Sequence, residues 1–121
     1  MMRHNFKKLV IWQEAMVFCD LLYNYTESLP PREKYNLVNQ LERSGVSIPS
    51  NIAEGSGKRT NNHFAEFLTT SLTSSFEVET QLLICQKRKY GSDKELLELL
   101  TFIEKLQRKI YNFREAIIKG N

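Results

Sequence analysis

At 121 residues, with 41% apolar and 26% charged side chains, the chain is long enough for one domain with its own core and needs neither a disulfide nor a metal to fold. Seventeen Lys and Arg against fourteen Asp and Glu leave a formal charge of +3, short of the strong basic balance of a dedicated nucleic-acid domain. No run approaches the ~18 apolar residues of a membrane span. The basic start "MMRHNFKKLVIWQEA" lacks an apolar segment leading to a small-residue cleavage site, so a cytoplasmic protein is expected.

The first helix is expected from about residue 9 to 27. Trp12, Ala15, Met16, Cys19 and Tyr23 can build its inward face, while Val10, Val17 and Leu21 fall on the far side. A helix that is apolar nearly all round is normally covered on both sides, which makes those three residues candidates for an oligomer interface. Pro30 and Pro31 end this helix and pre-set the next, expected over 31–56. There Val38, Leu41, Ile48 and Ile52 keep one phase across Pro49, which predicts a kink at the proline rather than an end. The carbonyl crowded by its ring belongs to Gly45, whose backbone can move aside.

The stretch "SIPSNIAEGSGKR" from Ser47 resembles a phosphate-binding loop at its end. Such a loop needs glycine where Ile52 stands and a hydroxyl where Arg59 stands, and no strand precedes it. It closes a helix instead, with Gly55 or Gly57 as the cap and Lys58 and Arg59 beside the negative end of the dipole. Arg43, Ser47, Ser50, Asn51, Glu54 and Lys58 share the face opposite the apolar stripe. Ser, Asn and Pro gain nothing over Lys, Glu or Ala on a solvated face, so a polar contact seam competes with simple exposure.

The third helix, over about 61–90, carries Phe64, Leu68, Ser71, Ser75, Val78, Leu82 and Cys85 in heptad rhythm behind Thr60 as N-cap. Its middle is small, which lets a neighbour approach. The fourth, over about 93–119, has the seam Leu96, Leu99, Ile103, Leu106, Ile110, Phe113 and Ile117 behind a Ser92/Glu95 capping box. Leu97, Leu100, Tyr111 and Ile118 lie beside that seam as a second apolar excess. Short connectors make neighbours antiparallel, so the expected fold is all-α: an up-down-up-down four-helix bundle forming one domain over residues 1–121.

Catalytic chemistry finds no support. His4 and His63 are the only histidines and neither follows a glutamate by three, which excludes a di-metal bundle centre. Cys19 and Cys85 sit on apolar stripes, and Glu77 and Glu79 cannot share a helix face, although one of them suits Arg43 as a partner. No catalytic residue, metal ligand or cofactor is expected. Basic clusters stand at Arg3, Lys7 and Lys8, at Lys58 and Arg59, and at Lys87, Arg88 and Lys89, with Arg108 and Lys109 on the last helix. Lys58, Arg59, Lys87, Arg88, Lys89, Arg108 and Lys109 are the candidate phosphate contacts. Helix alternation puts Lys58/Arg59 and Lys87 to Lys89 at opposite poles, and charges that merely complement helix dipoles are the competing account.

The pieces "VIWQEAM" from Val10, "LPPREKYNLVNQLERSGVSIPSNIAEGSGKR" from Leu29 and "TSSFEVETQL" from Thr73 resemble a family of four-helix-bundle proteins encoded in intervening sequences of bacterial large-subunit ribosomal RNA genes. The resemblance implies a barrel-shaped homopentamer. It also implies kinship with the accessory protein of diversity-generating retroelements, which partners a reverse transcriptase and binds nucleic acid. For Ser47, Pro49, Asn51, Glu54 and Gly55 it implies a shared structural or interaction role, with no catalytic assignment to carry over; Arg43 and Gly45 are further structural candidates on the same helix. "RSG" at Arg43 to Gly45 and the basic "KRKYG" from Lys87 depart from the family's pattern. Two functions follow: a homo-oligomeric scaffold for a protein partner, and a weakly sequence-specific RNA- or DNA-binding oligomer.

Overall fold

Four long helices dominate the computed structural model, which describes residues 4–120. They are α1 (Val10–Thr26), α2 (Leu37–Ser56), α3 (Asn61–Arg88) and α4 (Asp93–Lys119), with 3-10 turns at Phe6–Lys8 and Pro31–Glu33. No strand occurs among the described residues. Each helix packs on its two neighbours around a square: α1 on α2 and α4, and α3 on α2 and α4. Alternating direction gathers the ends of the helices at two poles. One holds the Phe6–Lys8 turn, the α2–α3 connector and the end of α4; the other holds the α1–α2 and α3–α4 connectors. Arg3, the first member of the N-terminal basic cluster, lies outside the described residues.

The heptad seams of α3 and α4 supply about half of the core, and α1 and α2 most of the rest. Phe64, Leu68, Val78, Leu82 and Cys85 are buried from α3, and Leu96, Leu99, Ile103, Leu106 and Ile110 from α4. The helix starts are capped by side chains: Thr60 Oγ1 accepts from the His63 N–H at 3.1 Å, and Ser92 Oγ from the Glu95 N–H at 3.2 Å.

Three local features differ from the sequence expectation. On α1 the buried stripe is Ile11, Ala15, Phe18, Leu22 and Tyr25, whereas Met16 and Tyr23 are exposed. The helix is turned by about one residue, roughly 100°, which puts Phe18 and Leu22 fully inside the core. α2 begins at Leu37, not near Pro31. The prolines start a separate 3-10 turn, and Asn36 leaves the helical region at φ −127° and ψ −97°. α3 ends at Arg88 rather than at residue 90, and Lys89 takes the cap in the left-handed conformation (φ 59°). Gly91 follows at φ 71°, where a Cβ would stand 2.5 Å from Ser28 Oγ.

Candidate functional site

The motif face of α2 is a contact seam along part of its length. Ser47 Oγ lies 2.7 Å from Ser74 Oγ on α3, and Asn51 Nδ2 donates to Ser47 Oγ at 2.9 Å and to the Ser47 carbonyl at 2.8 Å. Ser44 Oγ lies 2.9 Å from Gln81 Oε1, and Ser71 Oγ donates to the Ile48 carbonyl at 2.9 Å. Small hydroxyls let the two backbones come close while satisfying every polar atom; no buried side-chain N or O among the described residues lacks a partner. Ser50 and Glu54, further round, are exposed.

Close approach also explains two glycines. A Cβ on Gly55 would stand 2.6 Å from Phe67 Cβ and 2.9 Å from Phe64 Cδ1, so only glycine lets the end of α2 rest on α3. A Cβ on Gly45 would stand 2.6 Å from Leu22 Cδ2 of α1. Pro49 lies inside α2 rather than at its end, as the continuous apolar phase predicts. Its missing N–H frees the Gly45 carbonyl. The Cys19 thiol of α1 donates to that carbonyl at 3.2 Å. Burial pushes the Cys19 pKa up to about 11, which keeps the thiol protonated and able to donate. Nothing in the spacing pointed to this contact, because the bond joins residues on different helices.

Beside the seam a polar cleft of about 290 Å³ opens between α2 and α3, lined in part by Gln40, Arg43, Ser47, Ser74, Glu77 and Gln81. Arg43 and Glu77 both face it, yet neither is in an ion pair among the described residues. Glu79, the other candidate partner for Arg43, instead accepts from Gln107 Nε2 of α4 at 2.9 Å.

The candidate phosphate contacts do not converge. Lys58 and Arg59 stand at one pole, Lys58 with its ammonium 4.9 Å from the Phe67 ring centroid. Lys87, Arg88 and Lys89 are exposed at the other. Lys109 is tied to Glu14 of α1 at 2.8 Å, and Arg108 lines a groove on the flank of the bundle. The α1–α2 connector adds cations that sequence reasoning passed over. Arg32 lies 3.8 Å from Glu33 and Lys34 lies 5.3 Å from the Tyr35 ring centroid, at the same pole as Lys87 to Lys89. Glu33 joins the two connectors: it accepts from Tyr90 Oη at 2.9 Å and from Asn36 Nδ2 at 3.1 Å. These bonds, the tyrosine's foremost, hold its carboxyl below the usual carboxylate range despite burial. Tyr25 Oη donates to the Tyr90 carbonyl at 2.7 Å and completes the lock.

Two apolar grooves flank α4. The larger, about 700 Å³, runs between α1 and α4 past Val17, Leu97, Thr101 and Phe102 and is crossed by the Lys109–Glu14 pair. Val10, Val17, Leu21 and Leu97 are exposed along that side, at 59%, 53%, 38% and 63%. The second, about 270 Å³, lies between α3 and α4 against Leu72, Phe76 and Tyr111. No helix among the described residues is long and apolar enough to cross a membrane.

By its architecture the chain falls in the class of antiparallel four-helix bundles, here with a hydroxyl seam between α2 and α3 and uncovered apolar flanks beside α4. The family model described as 23S rRNA-intervening sequence protein matches residues 7–112, and the chain belongs to that family. The bundle is also similar to a crystal structure of a protein with unknown function from the S23 ribosomal protein family of Bacteroides thetaiotaomicron. The TM-score is 0.80 at 19% identity over 87% of this chain and 98% of that one, a likeness of fold. No curated protein matches the chain.

Proposed function

We propose that this protein is a non-enzymatic subunit of a closed cytoplasmic homo-oligomer that serves as a scaffold or adaptor for a protein partner. The observation that carries the reading is the placement of the two apolar grooves on adjacent faces of the bundle, both flanking α4. Adjacent faces of a square bundle point about 90° apart. Head-to-tail contact between two different patches at that angle closes a ring after about four or five copies, whereas patches on opposite faces would grow a filament. A pentamer agrees with the family resemblance. In such a ring α4 turns toward the axis and the α2–α3 face, with its polar cleft, turns outward to a partner such as a reverse transcriptase. Changing Val17 and Leu21 together to Glu places charge on the exposed side of α1 and spares the core, so a folded monomer is expected. Retention of the wild-type assembly would remove this surface from the interface.

The second reading is weakly sequence-specific RNA or DNA binding through the basic helix ends. It is supported by the gathering of Arg32 and Lys34 with Lys87, Arg88 and Lys89 at one pole. Phosphate contacts make log K fall with log salt in proportion to their number, while an apolar protein contact is nearly indifferent to salt. Replacing Lys87, Arg88 and Lys89 by Ser should lower the salt slope by about one per lost contact. An unaltered slope would remove these three side chains from the reading.

A further inference from the structure

Tyr35 is 84% exposed, the most exposed of the large hydrophobic side chains among the described residues. It is held at that position by its surroundings. On its N-terminal side Glu33 is buried and bonded to Tyr90 and Asn36; on its C-terminal side Asn36 accepts from Gln40 Nε2 at 2.7 Å and leads into α2. The ring therefore projects from a braced turn. Lys34 sets its ammonium 5.3 Å from the ring centroid. Arg32 comes from the same turn, and Arg88 stands 6.0 Å from the Tyr90 ring that is bonded to Glu33. Asp93 and Glu95 at this pole occupy the first turn of α4, where they complement that helix's dipole.

We infer that this pole binds single-stranded nucleic acid, with the Tyr35 ring as a stacking platform for an unpaired base and Arg32, Lys34, Lys87, Arg88 and Lys89 as contacts to the adjoining phosphates. The inference rests on the nucleic-acid reading above and names its substrate class. An exposed aromatic ring with one cation over it and others at the same pole matches the two surfaces a single strand offers, a base face and a phosphodiester. A duplex keeps its base faces inside the stack and offers the ring nothing. Stacking accepts any base, so the site is tolerant of sequence.

The test is fluorescence anisotropy of the full chain with labelled oligouridine and oligothymidine of about 20 nucleotides and with a duplex of equal length. Tyr35→Ala should weaken binding of single strands roughly five- to a hundredfold without altering the salt slope. Tyr35→Phe should restore it, and duplex binding should stay the same. The two single-stranded probes show whether RNA or DNA is preferred. Unchanged single-strand affinity in Tyr35→Ala, with affinity lost in the Lys87, Arg88 and Lys89 triple variant, would overturn the stacking site and leave the phosphate reading standing. Equal loss on duplex would overturn it too. A wild-type protein that binds none of the probes would overturn both readings. Because Tyr35 is exposed, the variants should fold, which circular dichroism verifies.

Discussion

A proline at position 49 removes the N–H that would close the helical ladder onto the Gly45 carbonyl, and Gly45 is buried against Leu22. Without the Cys19 thiol that oxygen would lack its donor from α1. A lost hydrogen bond of this kind costs about 1 kcal/mol, so Cys19→Ala should destabilise the fold by about that much in addition to the small loss of packing. In a Pro49→Ala background the residue 49 N–H returns, and the cost of Cys19→Ala should shrink. Urea denaturation of the four proteins in the cycle measures this coupling. Strict additivity would show that the thiol and the carbonyl are neighbours without an energetic bond. Gly55→Ala at the α2–α3 contact should cost about 1 to 3 kcal/mol. It should exceed Gly45→Ala, because the Gly55 Cβ would meet Phe67 Cβ, which cannot swing away, whereas the Gly45 Cβ meets the movable tip of Leu22.

Between elements, the connector pole is where charge governs order. Glu33 has a lowered pKa in the folded state, so its contribution to stability is present above the ordinary carboxylate value and is lost as pH falls through the lower folded one. The melting temperature of the wild type should therefore exceed that of Glu33→Gln at neutral pH, and the gap should narrow in acid. A gap that stays constant with pH would show that the carboxylate charge does nothing there. At the other connector Lys89 occupies a left-handed conformation that suits glycine. Lys89→Gly should stabilise the fold by about 1 kcal/mol, as denaturation would show, even if it weakens phosphate contact.

The long helices were legible because periodicity survives context: the seams of α3 and α4 bury the residues their spacing names. Caps at Thr60 and Ser92 were legible for the same local reason. The phase of α1 was harder to read because it is apolar nearly all round, and periodicity cannot choose between two apolar faces. The start of α2 was missed because Glu33, which accepts from Asn36, is fixed by Tyr90 from a connector far along the chain. The serine face of α2 was legible as unusual, but its partners on α3 appear only when the helices are packed.

For the whole molecule, the bundle covers its core and leaves Val10, Val17, Leu21 and Leu97 on one face and Phe76 and Tyr111 on the next. Surface of this kind on two adjacent faces is what a ring of identical subunits would bury. The sequence located the α1 residues but gave no angle between the patches, and the angle is what distinguishes a closed ring from a filament. The most direct measurement is the mass of the unmodified protein in solution, by light scattering over a range of micromolar concentrations. A closed ring gives one species at a fixed multiple of the 14.2 kDa chain, unchanged with concentration. A monomer, or a mass that keeps rising as protein is added, would contradict it.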